Sequence, residues 1–272
     1  MRKNAFKRIG GKHYMIKKLL PLIPEHDIYC EVFGGSASLL LNKTPVHLEV
    51  YNDIDSGLAN LFRVITNPEN FKKFYTRSSI TIYSRELFLE YYETWKEQEC
   101  DIEKAFRFFY IMRSCFAGNM NARGWATAHT RNFAKQYFSA VDKLPEMHER
   151  FKNVVIDNRS WEKILEAYDT PETFFYMDPP YALNTRLFQE VYEHEMTNKD
   201  HIKLIEKIKT LKGKVMLSGY ENEIYRNLEW NHKKYKVSAT SKNTKLSNPK
   251  PIKEEIVWMN YDLKNEQPTL FS

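Results

Sequence analysis

Short apolar runs alternating with amphipathic stretches constrain this chain more than any other feature. Residues 28–33 (IYCEVF), 47–52 (HLEVYN), 153–157 (NVVID), 173–177 (TFFYM), 214–218 (KVMLS) and 255–261 (EIVWMNY) read as strands. Apolar residues at helical spacing mark residues 55–66, 139–150, 160–168 and 198–211. Strands separated by helices specify a parallel α/β sheet, because each crossover helix covers one of its faces. One segment interrupts the alternation. Residues 83–115 are helical, with Phe88, Tyr91, Tyr92 and Trp95, then Phe106, Phe109 and Tyr110, at the spacing of core packing. Residues 116–137 (FAGNMNARGWATAHTRNFAKQY) are polar, basic and rich in Gly and Asn, and read as a loop or hairpin suited to substrate reading. The expected organisation is a domain made of residues 1–67 and 138–272, with a mainly helical lobe, 68–137, inserted in it. A length of 272 residues suits such a pair.

Composition narrows the class. No stretch approaches the ~18 uninterrupted apolar residues of a membrane span. The basic start lacks an apolar signal core and a small-residue cleavage site. Cys30, Cys100 and Cys115 form neither a disulfide framework nor a zinc pattern, and the histidines show no metal-ligand spacing. A cytoplasmic protein without a membrane partner or a metal is expected. The net charge of +6 is unevenly distributed: residues 1–24, 104–137 and 231–253 hold seven, six and seven Lys or Arg and no acid. Any one such stretch suits a solvated face. Three together favour a polyanion, since phosphate neutralisation needs uncompensated cations on one surface.

Two motifs carry chemistry. Glu31-Val32-Phe33-Gly34-Gly35-Ser36 ends the first strand, where glycines let the backbone approach a ligand at the carboxyl edge of a parallel sheet. Asp53, in the YNDID run that ends the second strand, is placed to accept hydrogen bonds from ribose hydroxyls. Asp178-Pro179-Pro180-Tyr181 follows the apolar strand TFFYM. Two prolines could merely stiffen a strand exit. Proline also lacks an N–H, so Asp178 and the Pro179 carbonyl present acceptors alone, which suits an exocyclic amino group with its two N–H donors. Tyr181 offers a face for a planar base.

GGK at residues 10–12, EVFGGS at 31–36, NDID at 52–55 and DPPY at 178–181, in that order, resemble the Dam-type (D12 class) S-adenosylmethionine-dependent DNA adenine-N6 methyltransferases. The resemblance runs from about residue 7 to about residue 261. It implies a Rossmann-like seven-stranded sheet with an inserted target-recognition lobe, S-adenosylmethionine as cofactor, and a flipped adenine in duplex DNA as substrate. It further implies that Lys12 contacts the cofactor region, that Phe33, Gly34 and Gly35 line the methionine and adenosine moieties, and that Asp53 binds the ribose. Asp178 would face both cofactor and amine, Pro179 and Pro180 would shape the acceptor site, Tyr181 would stack the adenine, and Trp161 would touch the cofactor's adenine. Arg8 is counted with the cofactor residues although relatives carry Tyr or Trp there. The run RSCFAGNMNARG keeps Arg113 and Gly118 but lacks the Asn-Arg-aromatic-Gly of GATC-recognising members. Arg113, Arg123, Arg131 and Lys135 in or beside the lobe are expected to read bases. Lys242, Lys245 and Lys250 are expected to hold phosphate from a loop before the final strand.

Chemistry follows from these groups: acceptors at Asp178 and Pro179 would draw the N6 protons and aim the nitrogen lone pair for in-line displacement. A monomer from a bacterium or phage is expected, with a cognate restriction endonuclease as a functional partner the family admits. The alternatives are an N4-cytosine or RNA adenine methyltransferase, or a catalytically inactive DNA-binding relative.

Overall fold

The computed structural model describes residues 12–115, 120, 123–127, 131–181, 195–238 and 252–263. Seven strands form one sheet: β1 (Ile28–Glu31), β2 (Leu48–Asn52), β3 (Val155–Asp157), β4 (Thr173–Met177), β5 (Lys214–Tyr220), β6 (Asn231–Ser238) and β7 (Ile252–Met259). Their order is β3-β2-β1-β4-β5-β7-β6. Neighbours are parallel from β3 through β5, and β7 runs antiparallel to both β5 and β6. Eleven α-helices are described: α1 (Ile16–Leu19), α2 (Ser38–Asn42), α3 (Ser56–Thr66), α4 (Pro68–Ile80), α5 (Arg85–Thr94), α6 (Asp101–Ser114), α7 (Phe133–Val141), α8 (Leu144–Phe151), α9 (Trp161–Tyr168), α10 (Asn198–Ile208) and α11 (Glu223–Arg226). None is long and apolar enough to cross a membrane.

Alternating side chains send the central strands into two cores. Tyr29, Tyr51, Phe174 and Tyr176 face one cluster, while Cys30, Val50, Phe175 and Met177 face the other. Helices α9 and α10 cover the second face through Ile164, Leu165, Leu204 and Ile208. The first face is covered by α3 and by residues 68–137 together: Phe62 of α3 belongs to the same buried cluster as Phe74, Phe88, Phe106 and Phe109. Helices α3 and α6 approach so closely that a Cβ at Gly57 would meet the Phe108 ring at 2.7 Å. The described residues of 68–137 therefore share their core with the sheet.

Three sequence expectations change, the first being the helix read at 139–150, which is α7, starting at Phe133, followed by α8. The helical stretch 83–115 is two helices, α5 and α6, joined by a 3-10 turn at Trp95–Glu97 and folded back so that Tyr91 meets Phe106 at 5.5 Å. Residues 231–238, read as part of a basic loop, form the edge strand β6. Exposed Lys233, Lys234 and Lys236 hide its alternation, with Val237 the one buried residue among its described side chains. Lysines on an edge strand also discourage pairing with another chain.

Candidate active site

The sheet reverses its order between the paired strands β1 and β4, and the connections that leave their carboxyl ends turn to opposite faces, α2 joining one core cluster and α10 the other; ligands of open α/β sheets bind at such a point. The glycine turn leaves β1 on one side of that point, and Asp178 leaves β4 on the other. Tyr51 supports the turn from below: a Cβ at Gly34 would lie 2.2 Å from its ring, and its hydroxyl donates to the Gly35 carbonyl at 2.8 Å. Gly35 is left-handed at φ +50°, with open space where a Cβ would stand, and Ala37 is also left-handed at φ 52°. Asp53 closes the turn. Its Oδ2 accepts the Gly35 N–H at 2.7 Å and its Oδ1 the Asp55 N–H at 2.9 Å. Asp55 is the N-cap of α3, accepting from the N–H groups of Gly57 and Leu58. Of the two acids in NDID, Asp53 faces the turn and Asp55 holds a helix.

Asn52, which sequence reasoning passed over, fastens a third segment. Its amide donates to the carbonyls of Val32 and Arg159 at 2.9 and 3.1 Å, and its carbonyl accepts the Arg159 N–H at 2.9 Å. Trp161 starts α9 two residues on. It and Phe33 are half-buried against the same core cluster. Phe33, Gly34, Gly35, Asp53 and Trp161 are thus brought together. Glu31, at the end of β1, accepts from Tyr29 Oη at 2.8 Å and from the Leu40 N–H at 2.9 Å, and burial pushes its pKa up to about 8.

Asp178 stands in a charged cluster assembled from four parts of the chain. Lys12, 3 % exposed, lies 3.1 Å from Asp178 Oδ1 and 2.5 Å from Glu255 Oε1, and donates to Tyr181 Oη. Ser218 of β5 donates to Asp178 Oδ1 at 3.0 Å. Tyr181 Oη lies 3.1 and 3.3 Å from the two Glu255 oxygens, and its ring is 4.4 Å from that of Tyr220. Burial raises the Asp178 pKa to about 6, with Lys12 opposing and Glu255 adding to the rise. Burial disfavours the Lys12 ammonium, yet Asp178, Tyr181 and Glu255 hold its pKa well above the ordinary value. Glu255 is completely buried on β7 and was not singled out from sequence. Its only signal there is an acid opening an otherwise apolar strand.

The expected DNA contacts are scattered. Arg113 turns into its own lobe, donating to the Gln136 carbonyl at 3.1 Å, and burial lowers its pKa. Arg123, left-handed at φ 44°, pairs with Glu93 and lies 5.7 Å from the Tyr92 ring centroid. Arg131 and Lys135 are exposed around the start of α7. Arg8, Lys242, Lys245 and Lys250 lie outside the described residues.

A mixed seven-stranded sheet with flanking helices, its order reversing between β1 and β4, is a Rossmann-like methyltransferase fold. The family model of D12 class N6 adenine-specific DNA methyltransferases matches residues 9–243. The chain belongs to that family, and is an adenine-specific DNA methyltransferase. Similar proteins include the type II methyltransferase M.CviBI of Paramecium bursaria Chlorella virus NC1A, 25% identical over 217 residues, covering 76% of this chain and 79% of that one. A DNA adenine methylase of Serratia marcescens is 27% identical over 192 residues, covering 67% of this chain and 68% of its own. The type II methyltransferase M.MjaIII of Methanocaldococcus jannaschii is 26% identical over 248 residues, covering 81% and 85%.

Proposed function

We infer that this enzyme transfers the methyl group of S-adenosylmethionine to N6 of an adenine flipped out of duplex DNA. The observation that carries the reading is the position of Asp178: a half-buried carboxylate followed by two N–H-free residues, beside the glycine turn. The turn suits a nucleoside cofactor. Gly35 leaves open the space that a Cβ would fill, Asp53 supplies a carboxylate there, and Phe33 and Trp161 supply apolar walls. When bound, S-adenosylmethionine supplies an activated methyl on a sulfonium. The protein's own contribution is orientation. Asp178 Oδ and the Pro179 carbonyl accept the two amino N–H groups, fixing the nitrogen so that its lone pair lies along the line of displacement. Ser218 and Lys12 fix Asp178 in turn. Pro180 stiffens the exit, and Tyr181 gives the base an aromatic neighbour.

Residues 68–137 serve as the target-recognition part, with Arg123, Arg131 and Lys135 on the DNA side, and Lys242 and Lys245 on phosphate. Arg113 has an internal partner and serves there by joining α6 to α7. Arg8 and Lys12 complete the cofactor side. Relatives named as type II methyltransferases and modification methylases make a companion endonuclease a reasonable partner. The deciding experiment is tritium transfer from labelled S-adenosylmethionine to duplex DNA, followed by base analysis. N6-methyladenine is expected. N4-methylcytosine, label in RNA alone, or no label refutes the reading.

A further inference from the structure

Glu255 has no part in the transfer just described, yet it sits at the centre of the Lys12 cluster. It is 0 % exposed and bonds Lys12 Nζ, Tyr181 Oη and, at 3.5 Å, Tyr14 Oη. Holding two hydroxyls and an ammonium needs only an acceptor oxygen, which a neutral amide also provides. Burying a carboxylate instead is costly unless the charge itself is used.

The charges around it can be counted. Lys12 is one cation shared by two carboxylates, Asp178 and Glu255. Glu31, with its pKa near 8, is mostly protonated at neutral pH. The phenols facing the cluster, Tyr14, Tyr176, Tyr181, Tyr220 and Tyr225, are all held neutral by burial, and Ser218 carries no charge. The cluster therefore carries one negative charge in excess. If Glu255 were an amide, Lys12 would neutralise Asp178 and the excess would vanish.

We propose that Glu255 is a positioning residue that keeps the Lys12–Asp178 cluster one negative charge in excess, so that the site prefers the cationic methyl donor over the neutral thioether left after transfer. This rests on the reading of S-adenosylmethionine as donor. Donor and product differ by one methyl group and one positive charge. A role for Glu255 in packing alone would weaken both ligands alike, whereas loss of its charge weakens the cation selectively. The same preference favours release of the spent product.

The test is calorimetric binding of S-adenosylmethionine and S-adenosylhomocysteine to the full chain at about pH 7. Glu255→Gln keeps the shape and removes the charge. It should lower the ratio of donor affinity to product affinity about tenfold, as expected for one charge acting over several ångströms in a partly buried site. Glu255→Asp keeps the charge and should keep the wild-type ratio, so that only Glu255→Gln moves it. If Glu255→Gln does not fold, the wild-type protein reads the charge directly: S-adenosylhomocysteine bound as tightly as S-adenosylmethionine, or more tightly, overturns the proposal. An unmoved ratio, or equal losses for both ligands, overturns the proposal. Wild-type protein that binds neither compound refutes the donor reading itself. Wild-type binding of both with an unmoved ratio refutes the role of Glu255 alone.

Discussion

At the scale of single residues, Asp178 must be ionised to accept strongly, and its pKa is raised to about 6. Below that value kcat/KM should fall about tenfold per pH unit as the carboxylate protonates, a limb that a pH–rate profile reads directly. Asp178→Ala should abolish transfer while β4 remains intact. A purified variant keeping more than about a tenth of kcat, a loss under ~1.4 kcal/mol, contradicts the assignment. Glu31 makes a separate prediction about stability. Its pKa rises from 4.5 in the open chain to about 8 in the fold, so the native state retains a proton that the unfolded chain gives up. Stability contributed at this site therefore declines as pH rises between those values. Glu31→Gln can still accept from Tyr29 and Leu40, and should be more stable than wild type near pH 9, by on the order of 3–5 kcal/mol, with little difference near pH 4. Urea melts at the two pH values decide it.

At the scale of elements, the glycine turn depends on what lies beneath it. Gly34→Ala drives a methyl into the Tyr51 ring and should cost about 1–3 kcal/mol, seen as a lower urea midpoint at unchanged slope. Asp53→Ala should weaken S-adenosylmethionine binding by roughly 1.5–3 kcal/mol in calorimetry. Unchanged affinity would remove Asp53 from the cofactor site, and Asp55, committed to the cap of α3, would not replace it. The motifs were readable because each acts locally. EVFGGS turns where two glycines stand together, and DPPY stiffens where two prolines do. Glu255, Tyr51 and Asn52 escaped because their partners lie far away in sequence, so nothing beside them marks them. Strand β6 escaped for another reason: an edge strand needs apolar residues on only one face, and its lysines masked even that face.

At the scale of the whole molecule, the acid-free stretches predict two kinds of DNA contact. Neutralising Lys242, Lys245 and Lys250 should weaken cognate and non-cognate duplexes alike, and flatten the salt dependence of binding by about 0.9 per lost phosphate contact. Neutralising Arg123 or Arg131 should instead narrow the gap between the two duplexes, by ~1–3 kcal/mol for a bidentate base contact. Binding isotherms at several salt concentrations separate the cases. A late-lysine variant that changes sequence preference but keeps the salt slope would contradict this division.

The ion pair between Lys12 and Glu255 spans 243 residues, and that span gives the enzyme a clock. A ribosome adding roughly 5–20 residues per second needs about 12–50 s to travel from one partner to the other. In the last third of that interval the glycine turn and Asp178 are already translated, while the lysine has yet to meet the second of its two carboxylates. Ribosome-bound chains stalled before β7 should therefore lack a finished site, however much of the sheet they have formed. The second carboxylate of the cluster arrives with the antiparallel strand, late in synthesis.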